Sequence, residues 1–177
     1  MISWMDRWLR PGQRVRSPIE LMKILILLAQ EGVANAKGGP FVAAIVSNTG
    51  RVISVAHNNV GRALDSTAHA EILAIRQAET RLKSPSLRPA SGSSHTLVTT
   101  CQPCVMCAGA IHWAGLRRVV AAARHQDVLR AGIAPDLLPD ASRLFSRVGI
   151  RYQRDVLRQE AARVFHEERK PHGHTER

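Results

Sequence analysis

Apolar and polar positions along this chain follow two different periods. From Pro18 to Glu31 the apolar residues Leu21, Ile24, Leu25 and Leu28 recur three or four apart, with Pro18 in the first turn and Gly32 after the end, which predicts a helix. The pattern then shortens. "FVAAIVS" and "RVISVAH" are β-rich runs around "NTG", a hairpin signal, and a polar loop, "NNVGRALDST", follows them. Helical spacing returns at Ile72, Ala74, Ile75 and Ala78 and fades in "RLKSPSLRPASGSSH", a Pro/Ser/Gly-rich surface loop. "TLVTT" predicts a third strand, "CVMCAGAIHWAG" a short helix begun by Pro103, and "LRRVVAAA" a fourth strand. Residues 126–146 carry no clear period, "GIRYQRDV" predicts a fifth strand, and Leu157–Glu168 a closing helix. Strands alternating with helices predict an α/β protein with helices on both faces of a sheet.

The 177 residues fit one domain, expected over 18–170, with a basic N-terminal extension at 1–17 and a frayed tail at 171–177. With 45% hydrophobic and 22% charged residues the chain has a globular composition. Its longest apolar run, "ILILLA", is too short to span a bilayer, and no cleavage site follows it, so a cytoplasmic protein with no membrane partner is expected. The net charge of +11 makes RNA a partner to consider. It does not by itself favour one, because the charge comes mostly from arginines spread along the chain.

The cysteines change the picture. All three, Cys101, Cys104 and Cys107, fall within "CQPCVMC", a poor disulfide framework that points to metal or redox chemistry. Cys104 and Cys107 are spaced to put both sulfurs on one helix face, with Pro103 suited to the first helical position. Two thiolates leave a zinc site half built. A structural site would want two more Cys or His at similar close spacing, and there is no second C-x-x-C, whereas a catalytic site needs one more ligand and an open position. In "STAHAEILAIRQA", His69 and Glu71 stand two apart and cannot share a face of a regular helix. Both can still converge on a metal lying beyond the helix N-terminus, with His69 as ligand and Glu71 reaching a water.

H-x-E followed by P-C-x-x-C resembles the signature of the cytidine and deoxycytidylate deaminase superfamily of zinc-dependent base deaminases. The resemblance extends from "GGPF" to the closing helix. It implies a three-layer α/β/α cytidine-deaminase-like fold with a central five-stranded mixed sheet. It also implies Zn²⁺ held by His69, Cys104 and Cys107, with Cys101 outside the site and Glu71 as the catalytic proton carrier. The reaction would replace an exocyclic amine of a nucleobase or nucleoside with a carbonyl and release ammonia.

Within the superfamily, "GGPF", "NNV" and "GAIHWA" are similar to bacterial guanine deaminases. On that likeness Asn58 would bond the base edge, Phe41 would stack on the ring, Trp113 would line the pocket, and the Ala70 N–H would meet the base carbonyl. Gln102 stands where those enzymes carry Glu, and Asp136 lies near, but shifted from, the acidic residue that closes their site after the fourth strand. "PCVMCAGA" and "RDVLRQEAARVF" resemble tRNA adenosine deaminases, the alternative reading. A catalytically inactive zinc-stabilised binding module is a further alternative, one that would not need Glu71. The superfamily likeness implies a homodimer, with the basic loops after Arg124 as contributors.

Overall fold

The computed structural model describes residues 4–88, 95–133 and 141–168. Asp136 and the tail from 171 therefore lie outside the described residues.

Ser17 caps helix α1 (Pro18–Ala34), its side chain accepting from the Glu20 N–H at 3.1 Å. Strands β1 (Val42–Val46) and β2 (Val52–His57) form the expected hairpin. A one-turn helix α2 (Val60–Ala63) interrupts the polar loop before helix α3 (Ala70–Leu82). Strand β3 (Thr96–Cys101), helix α4 (Val105–Trp113) and strand β4 (Arg118–Ala123) follow. Helices α5 (His125–Arg130) and α6 (Ser142–Arg147) lie in the segment without clear periodicity, and β5 (Arg151–Gln153) and α7 (Arg158–Glu168) complete the fold. One detail departs from the sequence reading. Pro103 precedes α4 instead of opening it, and Cys104, in extended conformation, is the N-cap.

The sheet order is β2-β1-β3-β4-β5. β1 runs antiparallel to both β2 and β3, whereas β3, β4 and β5 are parallel, so the five-stranded sheet is mixed as expected. Side chains alternate between its faces. Val42, Ala44, Val98 and Val120 join α1 and α7 on one side; Ala43, Ile45, Leu97 and Val119 join α3, α4 and Phe145 of α6 on the other. β1 and β3 are buried along their whole length.

The segment ahead of α1 buries Met5, Leu9 and Val15 while Arg7, Arg10, Arg14 and Arg16 stay exposed. Its backbone follows β2, with Gly12 N–H donating to Val52 O at 2.7 Å and Val52 N–H to Gln13 O at 2.8 Å. The Trp8 indole N–H donates to the Glu31 carboxylate on α1. Among the described residues, no helix is long and apolar enough to cross a membrane.

Candidate active site

The site forms where α3 and α4 present their N-termini to each other at the carboxyl end of β3. His69 and Cys104 are the two N-cap residues, and neither side chain caps its own helix. Both are free to turn toward one point. His69 Nδ1 lies 3.7 Å from Cys104 Sγ and 3.6 Å from Cys107 Sγ, and the ligand atoms of the three residues fall within 4.8 Å of one another. Tetrahedral zinc with sulfur at about 2.3 Å and nitrogen at about 2.0–2.1 Å separates those two atom types by about 3.6 Å. The donor set therefore fits zinc in both chemistry and spacing. Glu71, 6% exposed, sits one residue into α3, and its Oε2 takes a contact from Cys107 Sγ at 3.5 Å.

Burial, foremost, raises the Glu71 carboxyl to about 7. The hydrogen bond shared with Cys107 is the largest influence lowering Cys104, which falls to about 4, and the same bond pushes Cys107 the other way. The contact with Cys104 raises His69. Two sulfurs, an imidazole and a carboxyl group thus crowd together with no lysine or arginine in their hydrogen-bonding contacts among the described residues. Two helix N-termini supply partial positive charge there and favour thiolates.

The cytidine and deoxycytidylate deaminase zinc-binding region, as a family profile, matches residues 16–123. The chain belongs to this family. Guanine deaminase of Bacillus subtilis is 44% identical over 111 residues, covering 63% of this chain and 67% of that enzyme. A solved structure of guanine deaminase from Nitrosomonas europaea superposes with a TM-score of 0.85 at 30% identity, covering 96% of this chain and 93% of that one. A tRNA-specific adenosine deaminase of Aquifex aeolicus is 37% identical over 95 residues, 54% of this chain and 60% of that enzyme.

Beyond the His–Cys–Cys group, this deaminase places its other sequence-selected residues unequally. Ala70, 1% exposed, is the first residue of α3, so its N–H is one of those a helix leaves without an internal partner. Phe41 is half-buried, edge-on to Phe165 of α7 at 5.0 Å, and its carbonyl accepts from the Asn58 N–H at 2.9 Å. Asn58 lines an open hollow of about 350 Å³ with Gly38, Gly39, His57, Asn59 and Arg62, a lining that includes none of His69, Glu71, Cys104 and Cys107. Trp113 is not brought to the metal-side group within the chain. It ends α4, nine residues and about 13 Å of helix beyond Cys104, and is 83% exposed. Cys101 is buried apart from the three ligand candidates, and burial, foremost, holds its thiol well above the ordinary range.

Sequence reasoning passed over the residues that hold this frame. Asp65 Oδ1 accepts from Thr67 N–H at 2.8 Å and Thr67 Oγ1 at 2.6 Å, a local turn that delivers the chain to His69; an Asp two residues before a Thr was the available signal. Gly38 is required by contact, because a Cβ there would stand 2.6 Å from the His57 ring. The basic stretch after Arg124 is engaged internally: Arg124 pairs with Asp155, and Arg158 with Asp127.

Proposed function

We propose that this zinc-dependent hydrolytic deaminase acts on a free purine base of guanine type, consuming water and releasing ammonia. The observation that carries the reading is the convergence of His69 Nδ1 on the Cys104 and Cys107 sulfurs, with the buried Glu71 carboxylate against them. His69, Cys104 and Cys107 would hold the metal, which when bound supplies a Lewis acid that makes a water nucleophilic near neutral pH.

Glu71 takes one proton from the attacking water onto Oε2 and gives it to the ring nitrogen, then carries the second, from the new hydroxyl, to the departing amine, which leaves as ammonia. The C–N bond breaks as the C=O bond forms, and every proton moves through one carboxylate. Burial of Glu71 excludes the bulk water that would otherwise exchange that proton. The Ala70 N–H faces the base carbonyl, Phe41 packs on the ring, and Asn58 bonds the base edge. Likeness to the Bacillus subtilis and Nitrosomonas europaea guanine deaminases supports the substrate class.

The protein acts as a homodimer. Support comes from α4, whose sequence "VMCAGAIHW" carries no Asp, Glu, Lys or Arg and yet exposes Val105 at 40% and Trp113 at 83%. On a chain of net charge +11, that face is one where two copies meet without repulsion between cations. Trp113 then serves the neighbouring subunit, which accounts for its distance from its own site.

A tRNA adenosine is the second reading, favoured by the +11 charge and by the Aquifex aeolicus match. Ammonia release from guanine, adenine, cytosine and their nucleosides separates the two. The purine reading expects turnover of a free base without RNA and little response to salt, because a neutral base releases no phosphate counterions. Inosine formed only in folded tRNA, with activity falling steeply as salt rises, would overturn it.

A further inference from the structure

The seam between β1 and β3 opens at the end that carries the site. The two strands pair in register from Val46↔Thr96 to Ala43↔Thr99, and the next step, Val42 opposite Thr100, is absent from the ladder. β1 nonetheless keeps its other partner, with Val42 opposite His57 of β2, and β3 stays with β4 through Cys101↔Ala123. Past Thr99 the two halves of the site therefore travel on different strands. Phe41 and Asn58 go with β1 and β2, while Cys104 and Cys107 follow β3.

One side chain fills the opening. Thr100, 1% exposed, accepts from the Val42 N–H through Oγ1 at 3.0 Å and donates from the same oxygen to Pro40 O at 2.9 Å. It grips the backbone on both sides of Phe41. The Phe41 carbonyl in turn receives the Asn58 N–H at 2.9 Å. A hydroxyl thus takes the place of the ladder at this step and keeps the buried Val42 N–H paired.

We infer that Thr100 is a positioning residue for base recognition: its hydroxyl sets the gap between the metal-side group and the Phe41–Asn58 edge. The inference rests on the proposed roles of Phe41 and Asn58. Thr100 touches no reacting atom in this account, so its loss acts on substrate binding and leaves the chemistry at Glu71 in place.

The test uses the zinc-loaded full chain. Thr100→Val keeps the shape and removes the hydroxyl; Thr100→Ser keeps the hydroxyl. We expect Thr100→Val to raise KM for the base about tenfold, the equivalent of one lost buried hydrogen bond, with kcat nearly unchanged. Zinc content should stay at wild-type level, and Thr100→Ser should restore KM. Where Thr100→Val fails to fold, Thr100→Ala removes the same hydroxyl with less crowding and carries the same expectation. Amide exchange reads the geometry independently of any substrate. The Asn58 N–H should exchange faster in the hydroxyl-free variant, while the Ala108 N–H, bonded to Cys104 O at 2.8 Å, should not. Failure of the functional reading appears in the wild type, as no ammonia from any purine. Failure of this inference appears as an unchanged KM and an unchanged Asn58 exchange rate, or as a loss of kcat with KM intact.

Discussion

At the carboxyl end of β4, Arg124, Asp127, Asp155 and Arg158 meet; at the carboxyl end of neighbouring β3, Cys104, Cys107, His69 and Glu71 meet. The first cluster is complete. Asp127 accepts from Arg158 Nε and Nη2 at 2.8 Å and from the Arg124 N–H at 2.9 Å, and Arg124 grips Asp155 at 2.6 and 2.7 Å. Each anion has its cation, and the result ties α7 to α5. The second cluster also joins four side chains, but at 3.5–3.7 Å, and among the described residues no arginine or lysine is hydrogen-bonded to them. Paired charges make a clamp, whereas two thiols, an imidazole and a carboxyl gathered without a paired cation make a ligand set for a metal.

Removing the cation should break that contrast most sharply. Chelation, or Cys107→Ser, is expected to abolish deamination and drop zinc, measured by elemental analysis, from about one per chain to near none. Next in size is Glu71→Gln, which keeps the side-chain shape and removes the proton carrier. Turnover should fall by about 10²–10⁴-fold with zinc retained.

The complete cluster should answer in stability instead. Asp127→Asn leaves Arg158 without its bidentate partner and should cost about 1–3 kcal/mol by urea unfolding, with zinc content unchanged. Arg158, foremost, holds the Asp127 carboxyl below its ordinary value. The unfolded chain therefore binds that proton more readily than the folded one. The pair's contribution is full above the ordinary carboxylate range and is lost as acid carries the pH below about 4, through the folded value. Asp127→Asn should flatten that part of the acid-unfolding profile. The smallest effect belongs to Cys101→Ser, which should leave zinc and turnover close to wild type; a lost zinc would place Cys101 in the metal site.

The metal-side group was legible because its spacing is local: Glu71 stands two positions after His69 and Cys107 three after Cys104, each pair at a helix start. Strand runs such as "FVAAIVS" were legible because burial on both faces forces apolar continuity. What escaped depends on long-range placement. Thr100 looks like any strand threonine until β1 is seen to leave β3 beside it. Trp113 reads as a pocket aromatic from its motif, yet helix length carries it away from Cys104. α5 and α6 were hidden because each is only six residues, less than two full turns, and charge pairing and burial of Phe145 matter more there than periodicity. Arginines at 7, 10, 14 and 16 masked Met5, Leu9 and Val15, since composition averages over the two sides of a segment.

That segment has a bearing on how the protein behaves when damaged. β2 is a terminal strand of the sheet, and an uncovered strand edge is a template on which another chain can add itself. The hydrogen bonds between Gly12, Gln13 and Val52 occupy part of that edge, and the Val15 N–H donates to Gly50 O in the adjoining turn at 2.9 Å. A proteolytic nick that released these residues would free the backbone of β2 at Val52. The foreseeable fate of a clipped molecule is strand-to-strand addition and precipitation, with the chemistry at the far end of β3 lost only afterwards.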